Sequence, residues 1–187
     1  MAGIASRSQL RMSFLRYALF TVPAVLLLGT LAGRLAGAGS GNPWFDALAK
    51  PATMPPGWAF GAAWTILYIL LGLSLAMILH ARGAKDRTKA LVLFAIQLLL
   101  NYSWPAVFFA LHKVGPALLI LAAMIGGTVA LILIAWRVRV LAGLLLYPYL
   151  GWLMFAGMLN YQLLALNPDA EALVPGPRTI DIPLNPT

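Results

Sequence analysis

The sequence predicts an all-α membrane protein, a bundle of five transmembrane helices, on three observations. Hydrophobic residues make up 61% of the 187 and charged residues only 10%, whereas a soluble domain is about a quarter charged. Such a chain cannot cover a globule with polar side chains. The apolar residues fall into five runs, each near the ~20 residues that cross a bilayer as helix. The charged residues lie between these runs and not within them.

In order, residues 1–16 are a basic N-terminal extension with Arg7, Arg11 and Arg16, and the first span runs from Tyr17 to about Gly33. A basic start, an apolar middle and the small residues Ala36, Gly37 and Ala38 also fit a cleaved signal peptide. Gly29, Gly33 and Gly37 recur every fourth residue. In lipid that spacing lets helix backbones approach closely, although a glycine-rich helix end gives the same pattern. Residues 38–57 form a loop stiffened by Pro43, Pro51, Pro55 and Pro56. The second span covers Trp58 to Leu79, the third Ala90 to Leu111, the fourth Pro116 to Trp136 and the fifth Leu141 to Leu166. Residues 17–167 are thus the transmembrane domain. The segment 168–187 holds many prolines and no apolar period, which predicts a disordered tail.

Charge gives an orientation. Of the 13 Lys and Arg, nine (Arg7, Arg11, Arg16, Arg82, Lys85, Arg87, Lys89, Arg137 and Arg139) fall on the side of the N-terminus. Arg34, Lys50, Lys113 and Arg178 fall on the other. The excess predicts a cytoplasmic N-terminus in a multi-pass protein. The net charge of +8 predicts no nucleic-acid partner, because no basic helix or nucleic-acid motif accompanies it.

The same composition excludes much chemistry. There is no cysteine, hence no disulfide, thiolate metal site or cysteine nucleophile. Paired carboxylates, a metal-ligand cluster and a phosphate-cradling glycine loop are all missing from the pattern, so no metal and no required cofactor is expected. The two histidines, His80 and His112, lie at span ends and read as interfacial residues. Pumps and proton-coupled carriers usually keep an ionisable residue at membrane depth, and the spans have none.

What remains is aromatic and amide. Trp64 and Tyr68 share a face of the second span at four-residue spacing. Gln97, Asn101, Trp104 and Phe108 form one stripe of the third, and Trp152, Ala156 and Asn160 one stripe of the fifth, with Tyr149 a turn earlier. Facing inward, these stripes would make an apolar slot with a few polar anchors, the usual character of a small-molecule site. Trp58, Trp136 and Tyr147 lie near span ends, where membrane-interface aromatics collect. The Asn101 amide, costly if unpaired at mid-span, would meet either another helix or a ligand. Pro105 cannot donate to the carbonyl of Asn101, which predicts a kink there.

Four linked motifs carry a resemblance: W-F-x-x-L-x-K-P at Trp44–Pro51, P-P-x-W-x-F-G-x-x-W-T-x-L-Y at Pro55–Tyr68, Q-L-x-x-N-x-x-W with F-F at Gln97–Phe109, and P-Y-L-x-W-x-x-x-A-x-x-L-N-Y at Pro148–Tyr161. In this order and spacing, over about residues 17–167, the chain resembles the tryptophan-rich sensory protein family, also called translocator protein or peripheral-type benzodiazepine receptor. The resemblance implies a five-helix bundle, usually a homodimer. It also implies a receptor or sensor that binds porphyrins or other apolar small molecules among its helices beneath the 38–57 loop, which would act as a lid. Its ligand-contact positions match Phe45, Trp64, Asn101, Trp152 and Ala156; Tyr68, Trp104 and Phe108 join them from the stripes above. Some members promote light-dependent porphyrin breakdown, and the tryptophans implicated match Trp64 and Trp152, so a photo-oxidative activity and a porphyrin transporter stand as alternatives. Two departures are visible. Thr53 stands where the family usually has a large aromatic, and Pro105 directly follows Trp104, one residue earlier than usual. The cholesterol-type pattern needs Lys or Arg within five residues after its tyrosine, and Tyr161 is followed by Gln, Leu, Leu, Ala and Leu.

Overall fold

A computed structural model describes residues 7–39 and 41–173. Helix α1 spans Arg7–Leu35, a short α2 Pro43–Ala47, α3 Gly57–His80, α4 Arg87–Pro105, α5 Val114–Val138, a short α6 Val140–Leu144 and α7 Tyr147–Leu166. Five segments are long and apolar enough to cross a bilayer: Met12–Leu35, Gly57–His80, Arg87–Ala110, Val114–Val138 and Val140–Leu166. The protein is a multi-pass integral membrane protein. At 1.5 Å per residue a 24-residue helix reaches about 36 Å, enough for a ~30 Å hydrocarbon core.

The spans close into a ring that does not follow chain order. α1 packs on α3 and on α4, α3 also on α4, α4 on α5, and α5 on α6 and α7; α3 completes the ring through α6, and its backbone approaches that of α7 only lightly. The α1–α3 contact is the tightest, and glycine makes it so. A Cβ at Gly72 would lie 2.6 Å from the Val22 Cα, and one at Gly29 would overlap the Tyr68 ring. Thr21 Oγ1 donates to the Gly72 carbonyl across the same contact at 2.8 Å. Of the glycine series in the first span, Gly29 is therefore a helix–helix contact within the chain. On the far side, Ser74 Oγ donates to the Ala142 carbonyl at 2.9 Å, fastening α3 to α6. Large apolar side chains such as Leu19 and Phe20, each 76% exposed, point outward as a hydrocarbon-facing surface requires.

Four boundaries differ from expectation. The first helix begins at Arg7 rather than near Tyr17; no proline or glycine separates the arginine-bearing stretch from the apolar run, so one helix continues through both. The third span, expected to run as one α-helix kinked at Pro105, changes helix type there. It widens into a π turn over Ala106–Ala110, with Leu111 N–H bonding the Ala106 carbonyl at 2.9 Å. A proline that removes a donor and crowds the carbonyl four residues back favours such a local rearrangement. The fifth span is broken at Leu145–Leu146, because Pro148 has no N–H and is accommodated only in the first turn of a fresh helix. Residues 168–173, expected to be disordered, fold back in turns and bury Ala170. The rest of that expected tail, and residues 1–6 of the N-terminal extension, lie outside the described residues.

The glycine contacts give a direct test. Gly72→Ala should destabilise the purified protein by about 1–3 kcal/mol, the range for overpacking. Gly126→Ala, where nothing lies within 4 Å of the added Cβ, should be neutral or stabilising by up to about 1 kcal/mol. Denaturant unfolding of both variants in one detergent measures the contrast.

Candidate functional site

Halfway along the spans, polar side chains that lipid cannot satisfy have found one another. Gln97 and Asn101, on successive turns of α4, both donate to the Tyr149 hydroxyl of α7, at 3.1 and 3.0 Å. The Tyr68 hydroxyl of α3 donates to Asn101 Oδ1 at 3.0 Å. Gln97 also donates to Thr128 Oγ1 and the Met124 carbonyl of α5, at 2.9 and 3.1 Å. Tyr102 donates to the Val25 carbonyl of α1 at 3.1 Å. Every span is thus tied to α4. Asn101 is 2% exposed, and both ends of its carboxamide are bonded to tyrosines of neighbouring helices.

Trp64 stands beside this network at the meeting of α3 and α7. It stacks on Tyr68 with ring centroids 5.3 Å apart, and meets Tyr149 at 6.5 Å and Trp152 at 6.3 Å edge-on. Phe60 and Phe155 flank Trp152 at 5.8 and 5.6 Å. Trp64, Tyr68, Asn101 and Trp152 therefore come together in one aromatic layer, and Ala156 packs against the same core. On the outer side, between α3 and α7, Trp152 also lines an open groove of about 350 Å³ with Ala63, Ile66, Pro148, Gly151 and Phe155.

The other expected residues form a second layer under the 38–57 loop. Phe45 meets Phe108 at 6.1 Å and Phe109 at 5.4 Å. Trp44, 1% exposed, meets Phe108 at 5.5 Å and stacks on His112 at 4.4 Å. Trp104 stacks on Phe108 at 5.0 Å and touches both layers. The π turn places Phe108 and Phe109 on successive positions of this cluster. Two buried polar atoms here have no hydrogen-bond partner among the described residues: Trp104 Nε1, and the Oδ1 of Asn160, whose Nδ2 donates to the Val114 carbonyl.

The loop over this layer is fastened down. Asn42 caps α2 by accepting from Phe45 N–H at 3.0 Å. Asn167, at the C-terminal end of α7, accepts from Ala49 N–H at 2.8 Å and donates to the Ala49 carbonyl at 2.9 Å. Thr53 donates to Gln162 Oε1 at 2.8 Å, a polar clasp where an aromatic was expected. Trp44 Nε1 donates to the Ala170 carbonyl at 2.8 Å, and Lys113 pairs with Glu171 at 2.6 Å. Sequence reasoning placed Asn160 on the inward stripe of the fifth span but missed Asn167 and Tyr102 as members of these layers. An asparagine just past the last helical turn is a known C-terminal signal, so Asn167 was readable as a helix stop but not as a partner of the loop.

Fold and site define a class: a polytopic helical membrane protein with an aromatic, hydrogen-bonded centre beneath a clasped loop. The chain belongs to the TspO/MBR family, whose profile matches residues 21–166. It is 42% identical to the translocator protein of Bos taurus over 150 residues, covering 76% of this chain and 88% of that one. It is 40% identical to the tryptophan-rich protein TspO of Chlorobaculum tepidum over 126 residues, 67% of this chain and 80% of that one. It is 34% identical to the protein CrtK of Rhodobacter capsulatus over 131 residues, 70% and 82%.

Two expectations follow. Asn101→Leu leaves the buried Tyr68 hydroxyl without its acceptor and takes one of two donors from Tyr149, which keeps Gln97, and should cost about 1–3 kcal/mol of stability. Tyr68→Phe should cost about 0.6 kcal/mol, near the mean for such bonds in membranes, and the double variant less than the sum; unfolding in detergent reads all three. Asn167→Ala should leave the fold intact but raise amide exchange and protease cleavage between residues 48 and 56.

Proposed function

We propose that this protein is a membrane receptor or sensor for a flat apolar ligand, a porphyrin such as protoporphyrin IX, held between the aromatic layer and the second layer beneath the loop. One observation carries the reading: Trp64 contacts rings from its own helix and from α7, so that Tyr68, Tyr149 and Trp152 all converge on it. Flat π faces without a buried ion suit a flat, uncharged ring system, each good aromatic pair adding about 0.5–1.5 kcal/mol beyond area burial. The unpartnered Trp104 Nε1 and Asn160 Oδ1 offer one donor and one acceptor for a polar edge. Propionate groups would reach Arg34 or Lys50; Lys50 stands 5.0 Å over the Phe45 ring at the rim of the second layer. The N-terminus would face the cytoplasm by the distribution of bases, and the protein would work as a homodimer.

A second reading is photo-oxidative breakdown of the bound porphyrin with dioxygen as the oxidant, the illuminated ring as sensitiser, and Trp64 and Trp152 as the residues that exchange electrons with it. Their edge-on contact at 6.3 Å favours it, as neighbouring indoles in contact share an oxidising equivalent readily. A transporter is third, since the spans hold no ionisable coupling residue.

Protoporphyrin IX titrated into the purified protein should quench tryptophan fluorescence saturably. The Trp64→Ala, Trp152→Ala double variant should bind about 5–150-fold more weakly, as loss of two aromatic pairs, about 1–3 kcal/mol, implies; unchanged affinity sinks the aromatic site. Under illumination in air, the Soret band should fade faster with the protein than without it if the second reading holds, and equally fast if it does not.

A further inference from the structure

We infer that the ligand reaches the aromatic layer sideways from the bilayer, through the seam between α3 and α7, with Trp152 as the movable wall. This rests on the binding reading above and specifies its route.

Consider first the side that the loop covers. Asn167 holds Ala49 by two hydrogen bonds, Thr53 holds Gln162, and Trp44 is bonded to Ala170 and stacked on His112. These contacts come from separate segments: the start of the loop, its end, and the chain after α7. Opening that face breaks all of them together and uncovers Trp44 and Phe108, which are nearly fully buried. The α1–α3 face is closed by backbone contact, Gly72 on Val22 and Gly29 on Tyr68, and has no room for a ring to pass.

The α3–α7 seam is built differently. The two helices touch only lightly, because α6, not α7, carries the hydrogen bond from Ser74 that fastens α3 on this side. No direct hydrogen bond joins α3 to α7 among the described residues; Tyr68 reaches Tyr149 only through Asn101. At Gly151 nothing lies within 4 Å of where a Cβ would be. The groove there is lined by Ala63, Ile66, Pro148, Gly151, Trp152 and Phe155, near the middle of α3 and thus within the hydrocarbon. Trp152 is the shared wall: one side lines the groove, and the other meets Trp64 and Phe60. Rotation of that one indole joins groove and aromatic layer. A flat apolar ligand dissolved in the bilayer already has its hydrophobic surface out of water, so this path asks it to cross no aqueous step.

The test is kinetic. In lipid nanodiscs, binding of protoporphyrin IX is followed by stopped-flow quenching of tryptophan fluorescence. Filling the groove with Gly151→Leu, or independently with Ile66→Phe from the opposite wall, should slow association and dissociation by about tenfold, a barrier change of some 1.4 kcal/mol, while the equilibrium affinity stays within about threefold. Locking the loop should do nothing to either rate. The chain has no cysteine, so Thr53→Cys with Gln162→Cys, cross-linked by a bis-maleimide, locks it cleanly. Unchanged rates in both well-folded groove variants, or a stop to binding in the locked protein, overturn the lateral route. Absence of saturable quenching in the unaltered protein overturns the binding reading itself, a different result from altered rates at preserved affinity.

Discussion

A carboxamide in the middle of a membrane must be answered from within the protein, and here Asn101 is answered by two phenols. Tyr68 donates a hydrogen bond to its oxygen, and Tyr149 accepts one from its nitrogen. Gln97, one turn away, uses the same Tyr149 oxygen and continues to Thr128 and Met124. Hydrocarbon offers no competing donor or acceptor, so each of these groups is held to its partner. Individually such bonds are modest in membranes. Their importance is directional: a helix whose amide must meet two hydroxyls cannot slide or rotate by a turn without stranding them. The register of α3, α4, α5 and α7 around one another is set at this depth, and Trp64, Tyr149 and Trp152 inherit their positions from it.

Much of this was legible in the residues. Five spans followed from composition and run length, and the stripes at three-, four- and seven-residue spacing brought Trp64, Asn101 and Trp152 to one place, because helical periodicity fixes which residues share a face. What periodicity cannot give is depth relative to another helix. The stripe of the third span was one line in sequence, yet its first half joins the aromatic layer while Phe108, carried by the π turn, joins the loop layer. The break before Tyr147 was hidden in a continuous apolar run, since a short helix and a long one share the same composition; Pro148 was the only local sign. Residues 168–173 looked disordered because their order comes from elsewhere, through Trp44, Ala170 and Lys113. Contacts between distant segments leave no trace in a local pattern. Asn167 shows this most simply: as a residue it terminates a helix, and as a partner it holds Ala49, 118 positions away.

The molecule is therefore fastened unevenly. Polar bonds run across the loop face and the mid-depth network, and glycine contacts seal α1 against α3. The aromatic layer between them is held by ring contacts alone on its α3–α7 side. Ring contacts differ from hydrogen bonds in what they ask of a replacement. An amide deprived of its phenol is left with an unpaired dipole in hydrocarbon, whereas an indole moved off another indole can make the same kind of contact with any flat apolar surface placed between them. A guest ring could thus take the place of a host ring at small net cost, while the same guest could not replace the partner of Asn101. Low cost of exchange at the aromatic layer, and high cost everywhere around it, confines any adaptation to Trp64, Trp152 and their neighbours and leaves the scaffold that positions them unchanged.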